Sequence, residues 1–165
     1  MRSRILLSAV LTLAAFSAAA QERPAKFYAS AAEVEQLIAK AKAEHKGADT
    51  NTVEILVSDG PYPVQLEYRT GTTAPSLHQG QAELIYVIAG GCTLITGGTL
   101  VDAKPGNGAN LSGTSITGGV PRKVSKGDYI MVPPDTPHWY TDVDHEFISM
   151  TVHMPMAAAK ASTAN

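Results

Sequence analysis

The sequence predicts an all-β barrel, jelly roll or sandwich with one α-helix near its N-terminus. Short runs rich in β-branched and aromatic residues, separated by turns, follow one another from residue 52 to residue 154. Many short strands with frequent turns are typical of these closed or two-sheet β-folds. One stretch before them, SAAEVEQLIAKAKAEHKG, instead repeats its apolar residues at helical spacing.

The first 20 residues predict a secretory signal peptide. Arg2 and Arg4 precede an apolar run from Ile5 to Phe16, and Ala18–Ala20 supplies a small-residue cleavage site before Gln21. The apolar run is shorter than the roughly 20 residues that a membrane span takes. We therefore expect a periplasmic or secreted protein that has no membrane association after cleavage.

The net charge and the cysteine count limit which partners and which covalent links the protein can have. The net charge is -2 and no basic cluster is present, which argues against a nucleic-acid partner. Cys92 is the only cysteine, so no disulfide can form within the chain, although an exported protein meets an oxidising compartment. Because Cys92 lies in the apolar run GCTLIT, we expect a buried and inert thiol.

The chain divides into four predicted segments. Residues 1–20 form the signal peptide, 21–51 an N-terminal extension with the helix, 52–156 the β-domain and 157–165 a disordered tail.

The helix is expected to begin after Ser30, whose N-cap role is supported by Glu33 three residues later. Gly47 supplies the stop, and His45 in the last turn is interpreted as structural. The face that would be buried consists of Val34, Leu37, Ile38 and Ala41.

Two features between and within the strands give further expectations. Gly97-Gly98 is a plausible two-residue hairpin turn, and residues 103–119, rich in Gly, Asn and Ser, predict a long surface loop. Alternate residues of a strand share a face. By this rule the run YPVQLEYR directs Val64, Leu66 and Tyr68 to the pocket or core wall, with Gln65, Glu67 and Arg69 on the opposite face.

The stretch PSLHQGQAELIYVIAGG carries the first group of candidate ligands. His78 is followed by four residues and Glu83, and six more residues lead to Gly90. A second stretch, GDYIMVPPDTPHWYTD, carries another histidine, His138, behind three prolines. Pro137 pushes the residue before it toward an extended conformation, so His138 would begin a strand in a fixed direction.

The two stretches together resemble the motifs of the cupin superfamily, in the same order and with the same spacing. In the second motif Asp135 stands where the family usually has Gly, and Asp142 where it usually has Asn. The first motif lacks one histidine of the usual His-x-His, so that either Ser76 or Gly80 occupies the missing position. The resemblance implies a double-stranded β-helix, the cupin jelly roll or barrel, over about residues 52–154.

His78, Glu83 and His138 are the predicted metal ligands. Imidazole nitrogen and carboxylate oxygen suit a divalent Fe, Mn, Zn, Ni or Cu ion, and two His with one carboxylate leave coordination positions open. If His138 points inward, strand parity also directs Tyr140 and Asp142 inward. Tyr140 is therefore a candidate catalytic proton donor, with ordinary aromatic packing as the alternative.

Two further histidines, His145 and His153, lie just before and within the last predicted strand. Its apolar residues Ile148, Met150, Val152 and Met154 share one face, and if this face lines the interior, His145 and His153 point away from the site. We then expect water or substrate at the position of the missing ligand.

Three hypotheses for function follow. The first is a metal-dependent enzyme of oxygenase, isomerase or lyase type that acts on a small organic molecule. The second is a non-catalytic ligand-binding or sensing module of the same fold, because fold alone does not settle function. The third is a structural homodimer, since an exposed barrel edge can pair with another subunit.

Overall fold

A computed structural model describes residues 24–108 and 110–156. The predicted signal peptide and the predicted disordered tail lie outside these residues. The described part contains one helix, α1 (Ala31–Glu44), which is followed by strands only. The strands are β1 (Thr52–Asp59), β2 (Tyr62–Arg69), β3 (Ser76–His78), β4 (Gln81–Thr96), β5 (Thr99–Val101), β6 (Lys104–Pro105), β7 (Asn110–Ser112), β8 (Ser115–Thr117), β9 (Val120–Ser125), β10 (Tyr129–Val132), β11 (His138–Thr141) and β12 (Phe147–Pro155). No helix of the described part is long and apolar enough to cross a membrane.

Helix α1 begins and packs as the sequence predicts. The Ser30 hydroxyl accepts a hydrogen bond from the Glu33 amide at 3.2 Å, which satisfies one of the free N–H groups of the first turn. Ala41 is fully buried, and the other predicted apolar residues of the helix pack beside it on the sheet. His45 ends the helix with each ring nitrogen 2.9 Å from a threonine hydroxyl, those of Thr52 and Thr70, so its role is structural.

Strand β4 joins the two halves of the jelly roll. Its first half pairs with β10 and β12, and its second half pairs with β9 and β11. The strand turns between these halves at Gly90, which has φ 73°. A Cβ atom there would lie 1.8 Å from the Glu146 carbonyl oxygen, so only glycine lets β12 approach the turn.

One face of the sheet lies against the helix, and the other faces the barrel interior; Leu66 and Tyr68 lie in the core, as predicted, but on the helix side. Leu66, Tyr68 and Ile148 pack against α1. Glu67 and Arg69, which were expected on the opposite face from the core wall, are instead buried at 4% and 5% exposure. The alternating apolar residues of β2 and β12 therefore pack against α1, and the polar residues between them face the barrel interior.

Two local predictions need correction. Gly97 and Gly98 have the positive φ of turn glycines, but β5 pairs with β8 rather than with β4, so they do not form a hairpin. The segment 103–119 is not one loop, because it contains the short strands β6, β7 and β8. Strand β7 lies beside β3 and places Asn110 opposite His78.

Candidate metal centre

His78 is held with one ring nitrogen free. It ends β3, and its Nδ1 lies 2.7 Å from Asn110 Oδ1 on the neighbouring strand. An amide oxygen only accepts, so Nδ1 carries the proton and Nε2 offers its lone pair. Nε2 points to Glu83, whose Oε2 atom is 3.5 Å away. Asn110 was not predictable as a partner of His78, because it lies in a segment predicted as a loop, with no strand pairing.

His138 is fixed by the proline-rich turn that precedes β11. Asp135 in this turn has φ 57°, a left-handed conformation that Gly, Asn and Asp tolerate best. The Asp135 amide donates to the His78 carbonyl at 3.1 Å, and its carboxylate accepts from the Gly80 amide at 3.0 Å. The turn is thus tied to the segment that carries His78, so the two motifs hold each other in place.

The ring of His138 has the same arrangement as that of His78. Its Nδ1 lies 3.2 Å from the Thr136 carbonyl oxygen, which fixes the proton on Nδ1 and leaves Nε2 toward the interior. Nε2 is 3.1 Å from Glu83 Oε2 and 3.0 Å from the Ser76 hydroxyl. Ser76 therefore occupies the missing position of the first motif, whereas Gly80 is exposed and a Cβ atom there would meet open space.

His153 also faces the centre, so the expectation that it points away is wrong. On β12 it pairs directly with Glu83 on β4, and its Nε2 lies 3.7 Å from Glu83 Oε1. The physical reason is that the apolar face of β12, with Ile148 and Met150, packs against α1, so the residues of opposite parity on β12 face the barrel interior. His145, in contrast, is exposed, as expected.

Glu83 is the common neighbour of the three histidines. Its side chain is only 3% exposed. Ligand atoms of His78, Glu83 and His153 all lie within 4.8 Å of one another. His138 lies outside this compact group, but its Nε2 approaches Glu83 Oε2 at 3.1 Å. Burial by itself would raise the pKa of Glu83, but the imidazoles of His138, His153 and His78 outweigh it and hold that pKa well below its usual range.

The donor atoms of this cluster make it a candidate metal site. Glu83 Oε2 and His153 Nε2 are buried and have no hydrogen-bond partner among the described residues. Buried polar atoms normally find a partner. Both anchored histidines donate Nδ1–H to an oxygen and direct Nε2 inward, which is the arrangement that surrounds metal-bound histidine. Three imidazole nitrogens and one carboxylate oxygen suit a divalent transition metal.

Tyr140 lies one step deeper in the barrel than His138. Its ring is 6.2 Å from the His138 ring, and the Arg69 guanidinium carbon lies 4.0 Å from the Tyr140 ring centre. Tyr140 is 4% exposed, and its hydroxyl is buried without a hydrogen-bond partner in the described part of the chain. Burial and then the charge of Glu83 raise the pKa of Tyr140 well above its usual value, so the hydroxyl stays protonated.

Asp142 does not take part in the site, contrary to its predicted parity. Strand β11 ends at Thr141, and Asp142 has φ 46°, which breaks the alternation. Its exposed side chain accepts a hydrogen bond from the Thr93 hydroxyl at 3.0 Å. Asp142 is therefore a structural residue at the end of the strand.

Comparison with known proteins gives likeness in structure only. No protein-family model matches the sequence, and no curated protein matches it. The hydroquinone 1,2-dioxygenase PnpCD in complex with Cd²⁺ and 4-hydroxybenzonitrile is similar at 14% identity and a TM-score of 0.53, over 70% of this chain and 69% of that one. The Schizosaccharomyces pombe Cnp3 cupin domain is similar at 7% identity and a TM-score of 0.47, over 69% of this chain and 71% of that one. FeII HppE is similar at 13% identity and a TM-score of 0.48, over 66% of this chain and 53% of that one.

The chain has the cupin fold. The antiparallel strand arrangement and the likeness to PnpCD agree with this class, and they confirm the fold that the two motifs predicted. Within this fold the motif residues of β3, β4 and β11 meet at one point, and β12 adds a histidine that the motifs do not contain.

Proposed function

We propose that this protein binds one divalent metal ion through His78, Glu83, His138 and His153 and acts on a small organic molecule. The observation that carries the proposal is the convergence of three imidazole Nε2 atoms on one buried carboxylate, at 3.5, 3.1 and 3.7 Å. Two atoms of this cluster lack any other partner in the described structure, so an ion at this point would satisfy them. The ligand set differs from the predicted one by the addition of His153.

Four protein ligands have different consequences for different metals. A tetrahedral Zn²⁺ ion would have a closed shell, as in structural zinc sites. An ion that prefers six ligands would keep two positions for substrate, and when bound it would supply Lewis-acid or redox chemistry there. The proposal of an enzyme of oxygenase, isomerase or lyase type therefore favours Fe, Mn, Ni or Cu over Zn.

Tyr140 is the residue that we propose to donate a hydrogen bond or a proton to the bound molecule. Its support is the free hydroxyl beside His138. The alternative, a non-catalytic binding module, has one observation in its favour. Tyr140 also packs within the core against Phe147, with ring centres 5.5 Å apart, which suits a residue with only a structural role.

The experiment is elemental analysis of protein purified without chelator, beside the Glu83→Ala and His138→Ala variants. We expect near-stoichiometric metal in the wild type and a loss of metal in both variants. Absence of metal, with no uptake of Fe, Mn, Zn, Ni or Cu by the wild type, would refute the proposal. Once a substrate is known, unchanged turnover by both variants would refute the enzymatic part and leave the binding module.

The setting of this activity is also part of the proposal. The N-terminal pattern of residues 1–20 supports export to the periplasm or the medium. A small-molecule ligand is the expected partner, with a homodimer as a further one and neither nucleic acid nor membrane. Fractionation of cells and light scattering of the mature protein test these points.

A further inference from the structure

A second group of polar side chains is buried inside the barrel, beside Tyr140. Glu67 and Arg69 on β2 have the opposite parity to the residues of that strand that pack against α1, so both point into the barrel. Arg69 Nη2 pairs with Glu67 Oε2, and Glu67 Oε1 accepts a hydrogen bond from the Thr151 hydroxyl at 3.0 Å. Both oxygens of the Glu67 carboxylate are therefore in use, whereas the guanidinium is held through one of its three nitrogens.

The other donors of this group have no acceptor. Arg69 Nε and Nη1 are buried without a hydrogen-bond partner in the described structure, and so are the hydroxyls of Tyr140 and Ser149. The Arg69 guanidinium carbon lies 4.0 Å from the Tyr140 ring centre, and Ser149 on β12 pairs directly with Glu67 on β2. These donors border one region of the barrel interior. Because buried polar atoms normally find a partner, an acceptor is expected there.

The remaining unpartnered atoms belong to the proposed metal site. They are Glu83 Oε2 and His153 Nε2. With a metal ion on these two atoms, every buried side-chain atom still without a partner in the described structure belongs to an N–H or O–H group. A water molecule would supply one acceptor oxygen to these groups, and a carboxylate would supply two.

The charges inside the barrel favour the carboxylate over water. Glu67, Arg69 and Glu83 are the buried Asp, Glu, Lys or Arg residues of the described part. Two carboxylates and one guanidinium give a net charge of −1 while the histidines are neutral, and a divalent ion on the proposed ligands changes it to +1. An uncompensated charge is costly to bury, and a ligand with one negative charge would compensate it.

We propose that the metal-loaded barrel binds a small monocarboxylate, and that Arg69 and Tyr140 donate hydrogen bonds to its carboxylate group, with Ser149 as a further donor. This inference rests on the proposed metal site and adds to it the class of substrate and a specificity-determining residue, Arg69. Glu67 fixes the position of the guanidinium, and it also competes with the ligand for the positive charge.

The test compares acetate with acetamide, which have nearly the same shape and differ by one charge. Calorimetric titration of the Ni²⁺-loaded protein, in a buffer without carboxylates, is expected to show that acetate binds at least about tenfold more tightly than acetamide, because hydrogen bonds to a charged group are stronger than neutral ones. The metal-free protein should bind acetate at least about tenfold more weakly than the loaded protein, because its interior has a net negative charge.

Substitutions of the ion pair locate the acetate at Arg69. Glu67→Gln removes the competing carboxylate and keeps an acceptor for the Thr151 hydroxyl, so acetate should bind more tightly than to the wild type. Glu67→Gln/Arg69→Met also removes the guanidinium, and acetate affinity should fall at least about tenfold below that of Glu67→Gln. Tyr140→Phe leaves the ion pair intact, so it tests the second donor even if a change in the pair impairs folding, and it should weaken acetate binding about fivefold.

Arg122→Met is the matched control. Arg122 is exposed on β9, so the variant loses the same kind of cation outside the barrel and should bind acetate as the wild type does. Metal content is measured in every sample and should not change with any of these substitutions.

The outcomes separate the two proposals. If the wild type takes up no metal, the proposed function fails, and this inference fails with it. If it takes up metal but binds acetate no better than acetamide, the inference is overturned while the metal site stands. Acetate affinity that is as high in the double variant as in Glu67→Gln, unchanged in Tyr140→Phe, or lost in Arg122→Met would overturn it in the same way.

Discussion

Replacement of His153 by alanine tests whether the last strand supplies the ligand that the first motif lacks. A structural four-ligand zinc site has a binding free energy of roughly 10–16 kcal/mol, which is about 2.5–4 kcal/mol for each ligand when shared equally. Each 1.4 kcal/mol is a factor of about ten in affinity. We therefore expect His153→Ala to weaken metal binding by roughly two to three orders of magnitude.

Trp139 provides the assay. It is the only tryptophan in the chain, it follows His138 directly, and its indole N–H donates to the Thr73 carbonyl at 2.6 Å. Its position is therefore fixed beside the site, and Ni²⁺ or Cu²⁺ titrations can be followed by its fluorescence. Calorimetry on the same samples gives an independent dissociation constant.

His145→Asn is the matched control, because His145 lies on the approach to the same strand but is exposed. Its φ of 54° is a conformation that asparagine tolerates, so the variant should fold and bind metal as the wild type does. Wild-type affinity in His153→Ala would refute the assignment of His153 as a ligand.

Four further outcomes are expected. Ser76→His in the His153→Ala background should restore much of the metal affinity in the same titrations, because Ser76 occupies the missing position of the first motif; no gain would mean that this position cannot reach the metal. Tyr140→Phe should leave the free energy of unfolding in urea unchanged or raise it by up to about 1 kcal/mol, because it removes a buried hydroxyl without a partner. If the variant's free energy of unfolding were instead more than about 1 kcal/mol lower, the hydroxyl would have a structural hydrogen bond. Burial opposes protonation of His78, but its interactions with Glu83 and then Asn110 prevail and raise its pKa above 6.5. Protonated His78 should therefore stabilise the metal-free protein fully below pH 6.5, and this contribution to the free energy of unfolding should be lost as the pH rises through the raised pKa. Metal binding should tighten over the same pH range, because the metal requires the neutral imidazole. If the free energy of unfolding, relative to that of His78→Gln, rose from pH 6.5 to pH 8.5, this expectation would be contradicted. Burial raises the pKa of Cys92 to about 12, so a disulfide reagent at pH 8 should label the thiol only in the unfolded protein, and rapid labelling of the native protein would contradict the burial.

Local signals were sufficient for most of the fold. The N-cap and apolar spacing predicted α1, and the run YPVQLEYR predicted β2 at its observed bounds. The turn that holds His138 was also predictable, because prolines and a residue tolerant of positive φ act over a few residues. The pairing of β5 with β8, and the contact of Asn110 with His78, depend instead on residues distant in sequence, which no local pattern encodes.

The error on His153 had a different origin, since the strand itself was predicted correctly. Period-two alternation shows which residues of a strand share a face, but it does not show what each face contacts. The sequence did contain a relevant signal: an amphipathic helix must bury its apolar stripe against something. The apolar side of β12 was available for that helix, and Ser149 and Thr151, both fully buried, occupy the barrel side with His153.

In the proposed metal site, His153 takes the place of the histidine that the first motif lacks. A metal ion requires donor atoms around one point, and it does not depend on which strand supplies them. Ser76 stands beside His138 on one side of the barrel, and His153 stands beside Glu83 on the other. Both positions border the same centre, so a ligand supplied from β12 can replace one lost from β3. Motif spacing describes only the β3 position, and for this reason the sequence indicated an incomplete site, whereas the structure adds His153 beside Glu83.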